Sequence, residues 1–135
     1  MMSAKDKKNN ASARKPKRVA YEDLRALALS LALPGVSEAI SWGQPTLKAH
    51  GKLWFFWNPK YDAPVFKVSS FDERDMLIEA APDMFFTTDH HRPHNLVLVY
   101  PERVDLDWVK ENLTRVWRAQ APKRVLKAWD AEHGR

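Results

Sequence analysis

The five consecutive residues Leu53-Trp54-Phe55-Phe56-Trp57 constrain this chain more than any other segment. Alternate side chains of a strand point to opposite faces, so a half-buried strand alternates apolar with polar residues. This run puts apolar bulk on both sides. It reads as a central strand, or as one with helices over one face and a loop over the other. Its hairpin partner is residues 46–49, across the short turn His50-Gly51-Lys52, whose glycine can take positive φ. Residues 58–62 read as a loop from their turn-forming composition, and residues 64–69 as another strand. Residues 84–87 are a short strand candidate, and residues 96–100 a clear apolar strand stopped by Pro101.

Between the strands lie helical patterns. Leu24, Leu27, Ala28 and Leu31 form a stripe, while Ala26, Leu29, Ala32 and Leu33 fill other faces. That predicts a helix packed on more than one side and ended by Pro34-Gly35. Ser70-Phe71-Asp72-Glu73 has the form of a capping box and opens a helix carrying Met76, Leu77 and Ala80, which Pro82 terminates. Asp105 caps a further helix whose core stripe is Leu106, Val109, Leu113 and Val116. Ala121-Pro122 breaks it, and residues 123–130 form a last short helix. Hairpin-linked strands with segregated helices predict an α+β domain rather than a doubly wound parallel sheet.

Charge separates the chain into two parts. The whole carries a formal +5, but residues 1–18 hold seven of the basic residues and one acid. The remainder is close to neutral, so the high isoelectric point belongs to the leader and not to the fold. That leader lacks aromatic residues and cannot bury enough apolar surface to offset its ordering entropy, so it is expected to be disordered. It is either a solubilising tail or an arm for phosphates. The 135 residues suit one domain, residues 19–135 following the leader, and 44% hydrophobic content gives it a core. The absence of cysteine excludes disulfides, a thiol nucleophile and cysteine-ligated metal. No apolar stretch approaches the roughly 20 residues of a membrane span, and the basic N-terminus lacks the apolar segment of a secretory signal. A cytoplasmic location is expected.

Several segments taken together resemble the MmcQ/YjbR family. They are Leu33-Pro34-Gly35-Val36 with Glu38, Trp42-Gly43-Gln44-Pro45-Thr46, Gly51-Lys52-Leu53-Trp54, Phe66-Lys67-Val68, and Trp117 followed by Pro122-Lys123-Arg124. The chain departs from the family pattern at His94-Asn95, where a Gly-Trp-like pair is usual, and at Trp117, where tyrosine is usual. The resemblance implies a CyaY-like (frataxin-like) α+β fold, an antiparallel sheet with helices packed on one face. It also implies a DNA-binding role with no catalytic residue set and no cofactor. The iron role of frataxins does not carry over, because the first helix offers only Glu22 and Asp23, with Arg25 close behind.

Three constellations are candidates for function. The first is Lys110, Arg115, Arg118, Lys123, Arg124 and Lys127, opposed within that stretch only by Glu111. These basic residues are either a phosphate-contact patch for DNA or another nucleic acid, or a solvated helix surface. The second is a ligand cleft formed by Trp42, Gln44 and Lys48, with Trp42 either stacking on a flat ligand or filling the core. Trp54 and Phe56 add stacking surface if exposed. The third is Asp89-His90-His91-Arg92-Pro93-His94, whose spacing fits no structural zinc signature and which reads as an exposed loop, so no metal site is expected. No Gly-rich phosphate loop, nucleophile elbow or zinc-protease motif occurs, and the chain is expected to bind rather than catalyse.

Overall fold

The computed structural model of the chain describes residues 18–41 and 43–134. The N-terminal leader up to residue 17, and Trp42 of the candidate cleft, lie outside the described residues. Four helices and six strands follow in the order α1 (Tyr21–Ser30), β1 (Val36–Ser41), β2 (Gln44–Ala49), β3 (Lys52–Asn58), β4 (Ala63–Lys67), α2 (Phe71–Ala80), β5 (Phe85–Phe86), β6 (Leu96–Val99), α3 (Leu106–Gln120) and α4 (Lys123–Glu132). A single 3-10 turn, Pro101–Arg103, precedes α3. The strands form one sheet in the order β1-β2-β3-β4-β6-β5, every neighbouring pair antiparallel. The domain is α+β.

Local chemistry sets the boundaries. Asp105 Oδ1 accepts from the backbone N–H of Asp107 at 2.9 Å and caps α3. Ser70 Oγ accepts from Glu73 N–H at 3.0 Å and caps α2. The Glu73 carboxylate reaches back to Ser69 N–H at 2.9 Å, one residue beyond the reciprocal bond of a capping box. His50 and Gly51 both have positive φ, 58° and 80°, the signature of the two-residue hairpin turn whose twist matches the flanking strands. β1 carries no sequence signal because it is an edge strand: its residues are half-buried or exposed, so no apolar alternation marks it.

All four helices cover one face of the sheet. Leu24 and Ala28 of α1, Leu77 and Ile78 of α2, Val109, Leu113 and Trp117 of α3, and Leu126 and Trp129 of α4 join Leu47, Phe55, Phe66 and Val97 of the strands in one core cluster. Two indoles are tied to backbone across layers: Trp54 Nε1–H donates to the Leu113 carbonyl at 2.9 Å, and Trp117 Nε1–H to that of Pro34 at 2.7 Å. Because the helices form a single outer layer, each buries only the stripe turned to the sheet. Leu29, Met76 and Leu106 are therefore 42%, 58% and 47% exposed. The expectations of multi-sided packing for α1, and of core roles for Met76 and Leu106, are corrected accordingly. No helix among the described residues is long and apolar enough to cross a membrane.

A second, smaller cluster lies on the other face, where Ala63, Val65, Leu96 and Leu98 are buried with Leu53, Phe56 and Phe86 against them. The residues that build it depend on a β-bulge. β2 and β3 pair Leu47 with Phe55 but Lys48 with Leu53, so Trp54 is an extra residue on β3. Past the bulge the inside-outside alternation inverts. Phe55 and Trp54 go to the helix side, and Leu53 joins Phe56 on the open side.

Candidate functional site

A concavity of about 620 Å³ lies on this open face. Its floor is Leu53, Phe56 and Leu96. Ser41 and Gln44 close the end nearest the β1–β2 turn, Asn58, Pro59 and Lys60 form one wall, and His90, His91 and His94 form the other. The volume falls in the range of roughly 300–1,000 Å³ typical of small-molecule sites, and an apolar floor with a few polar groups around it is their usual composition.

The histidine wall is the exposed loop expected from sequence at every position but one, and that one residue ties it down. His91 is 2% exposed. The Asn58 Oδ1 atom accepts from the backbone N–H groups of Lys60 at 2.9 Å and Tyr61 at 3.2 Å, which turns its amide nitrogen toward His91 Nε2, 3.5 Å away. Nε2 is then the acceptor, and the ring proton sits on Nδ1, 2.7 Å from Thr88 Oγ1. Burial holds the His91 imidazole below its ordinary range, and the neighbouring His90 and His94 act in the same direction. Tyr61 meets the ring edge-on at 6.0 Å.

From α2, Arg74 grips the same loop. Its side chain is buried, and its Nη1 donates to the carbonyls of Arg92 at 2.7 Å and His94 at 2.9 Å, while Nε pairs with Asp75. The loop that carries His90 and His94 is thus fixed by Arg74 at one end and His91 in the middle. Sequence reasoning missed Arg74, because a lone arginine in the first turns of a helix looks like a solvated residue. Its one signal was its neighbour Phe71, whose ring lies 5.1 Å below the guanidinium.

Of the predicted cleft, Gln44 lines the cavity and Lys48 does not. Four residues along an extended strand is roughly 13 Å, which carries Lys48 toward the β2–β3 hairpin and opposite Leu53. Trp54, expected as a stacking surface if exposed, is wholly buried on the helix side, whereas Phe56 is half-buried in the cavity floor. Among the described residues no group of three or more His, Cys, Asp or Glu side chains is placed to hold a metal ion.

The basic surface is divided. Arg118 makes a two-pronged pair with Asp130, at 2.9 and 3.1 Å, tying α3 to α4. Arg115 pairs with Glu73 at 2.7 Å and also contacts Asn112 Oδ1 at 3.2 Å. Asn112 is itself buried and donates to the Lys67 carbonyl at 2.9 Å. These two arginines hold elements together. Lys110, Lys123, Arg124 and Lys127 are exposed.

The profile of the YjbR family matches residues 31–119, about two thirds of the chain, a span from the end of α1 to the end of α3. The chain belongs to the YjbR family. Relatives in Mycobacterium bovis and Mycobacterium tuberculosis, each described as an uncharacterised protein, are 32% identical over 76 residues. That alignment covers 56% of this chain and 59% of each relative. No solved structure matches. The YjbR span contains the whole sheet, the bulge, the cavity and Arg74, but stops short of α4 with Lys123, Arg124 and Lys127.

Proposed function

We propose that this YjbR protein is a non-catalytic binding module that takes a small molecule in the open-face cavity. The observation that carries this reading is the fixed wall opposite the apolar floor. Arg74 and His91 anchor a loop that would otherwise be free, which leaves a preformed site between it and Leu53, Phe56 and Leu96. Preformed, largely apolar concavities with few polar groups are where small ligands bind. Saturation-transfer NMR with a library of small aromatic and aliphatic fragments tests it. Binders should emerge and compete with one another, and Gln44→Trp, which fills one end of the cavity, should abolish them without altering the circular dichroism. Fragments that bind the Gln44→Trp variant as well as the natural chain would defeat the reading.

DNA binding through phosphates is the second reading. It draws support from one observation: Lys110, Lys123, Arg124 and Lys127 are exposed and make no ion pair among the described residues. It draws none from Arg115 and Arg118, whose guanidinium groups are already engaged by Glu73 and Asp130.

A further inference from the structure

We propose that the ligand of this cavity is an organic acid, with its apolar body on Leu53, Phe56 and Leu96 and its anionic head at Lys60, His90 and His94. The proposal rests on the small-molecule reading above and adds the chemical class.

The argument is charge complementarity across the whole open face. None of the described residues lining the cavity is acidic, while one is lysine and three are histidine. The same holds beyond the cavity. From the strand registers, the open-face positions of β2, β3 and β4 are Gln44, Thr46 and Lys48, then Leu53, Phe56 and Asn58, then Ala63, Val65 and Lys67. Lysine occurs twice among them and no carboxylate occurs. Glu38 of β1 points the other way and is held by Arg25 of α1 at 2.7 Å.

The two acids nearest in sequence to the cavity walls are already engaged. Asp62 receives Arg18 Nη2 at 2.6 Å and Trp57 Nε1 at 3.1 Å, and Asp89 is paired with Arg92. Neither needs a cation from a ligand. His91 has both ring nitrogens occupied, by Thr88 and Asn58, so it shapes the wall and does not supply a head-group donor. That leaves the Lys60 ammonium and the His90 and His94 rings, all exposed at the rim above an apolar floor. A cationic ligand would meet no counter-charge here among the described residues. A neutral apolar one would leave the rim donors without a new partner. An anion with an apolar body uses both.

Two fluorescent probes with the same aromatic skeleton separate these possibilities: anilinonaphthalene sulfonate, which is anionic, and phenylnaphthylamine, which is neutral. Each is titrated against the full chain, the Gln44→Trp variant and a Lys60→Gln/His90→Gln/His94→Gln variant, at low and high salt. The sulfonate is expected to bind on the order of tenfold more tightly than the amine, the combined effect of a few partly exposed charge-assisted contacts. The preference should shrink in high salt and vanish in the triple variant, which keeps its affinity for the amine. Equal affinity of both probes for the natural chain, with loss of both in Gln44→Trp, would overturn the organic-acid proposal and leave the cavity reading standing. Binding of neither probe, or binding unaffected by Gln44→Trp, would overturn both.

Discussion

Leu53 and Phe55 stand two residues apart on the same strand yet face opposite sides of the sheet. The register accounts for it: Leu47 pairs with Phe55 and Lys48 with Leu53, so Trp54 between them is unmatched on β2. This one bulge lets a strand of consecutive apolar residues feed two separate clusters, the main core through Trp54 and Phe55 and the cavity floor through Leu53 and Phe56. Trp54 is fully buried and its indole N–H is used by Leu113. Trp54→Ala should therefore destabilise the domain by about 3–5 kcal/mol, the range for a large aromatic deleted from a core. Urea unfolding followed by circular dichroism measures it, and a loss under about 1 kcal/mol would mean that the bulge is not built around that ring.

Arg74 is the residue whose removal should unfasten the cavity wall without dismantling the core. Arg74→Ala leaves the carbonyls of Arg92 and His94 without their donor. A loss of about 1–3 kcal/mol is expected from unsatisfied buried acceptors. Hydrogen exchange should report the larger change locally, with faster exchange at the loop amides of His91 and His94 and little change in β3 or α3. Uniform acceleration across the domain would contradict a loop-specific role.

The packing of Gly35 against His50 sets a second local constraint. Gly35 has φ +80°, and a Cβ there would lie 2.6 Å from His50 Nδ1. The two residues are also joined by the His50 N–H donating to the Gly35 carbonyl at 2.7 Å, and the imidazole lies against Trp117. Gly35→Ala is expected to destabilise by about 1–3 kcal/mol, combining positive φ with the clash. Adding His50→Asn, which tolerates the positive φ of that position and removes the ring, should recover part of the loss. Strict additivity in thermal unfolding would show that the contact is not the cause.

Acid should weaken the fold through two imidazoles, buried His91 and half-buried His50. Burial lowers His91, with His90 and His94 adding to it, and burial lowers His50, with Lys52 adding and a backbone bond to Trp117 opposing. A histidine lowered in the folded state binds fewer protons folded than unfolded between the two values. Stability contributed by keeping it neutral is therefore present above the ordinary 6.5 and is lost as pH falls from there through the depressed folded value. Unfolding free energies in urea at a series of pH values should decline in that window. In His91→Gln the decline should be shallower, and an unchanged slope would remove His91 from the account.

On the α3–α4 surface, any binding to DNA should depend on the exposed cations Lys123, Arg124 and Lys127. Lys123→Ala/Arg124→Ala/Lys127→Ala should weaken it and reduce the salt dependence by roughly one phosphate contact per residue. Arg118→Ala should instead lower the melting temperature by removing the two-pronged pair that ties α3 to α4. Fluorescence anisotropy with labelled duplex across a salt series distinguishes the two sets. A larger affinity loss in Arg118→Ala than in the triple variant would reverse these roles.

Much of this architecture was legible in the sequence, and the rest was hidden for physical reasons. The caps at Ser70 and Asp105, the His50-Gly51 turn and the apolar strand at 96–99 are local signals, and they predicted their elements. The two-sided aromatic strand implied apolar surroundings on both faces, which the helices supply on one side and the smaller cluster of Val65, Leu96 and Leu98 on the other. β1 was invisible because an edge strand needs no apolar alternation. The exposed Leu106 and Met76 misled because periodicity identifies a stripe but not how wide a covering the next layer provides. Arg74 and His91 could not be assigned, because a buried polar group is recognised by partners distant in sequence, and the bulge at Trp54 leaves no composition of its own. The basic residues looked like one patch because spacing gives helix faces but not the acids, Glu73 and Asp130, that approach from other elements.

The most direct test of the central claim, that this chain meets its ligand on the open face of the sheet and not on its basic helices, is a residue-resolved titration. Backbone amide NMR spectra of the full chain with increasing anilinonaphthalene sulfonate locate the contact. The largest shifts are expected at Gln44, Leu53, Phe56, Asn58, Leu96 and the 87–95 loop, with Lys123, Arg124 and Lys127 unmoved. Shifts concentrated on α3 and α4, with the open face silent, would contradict it.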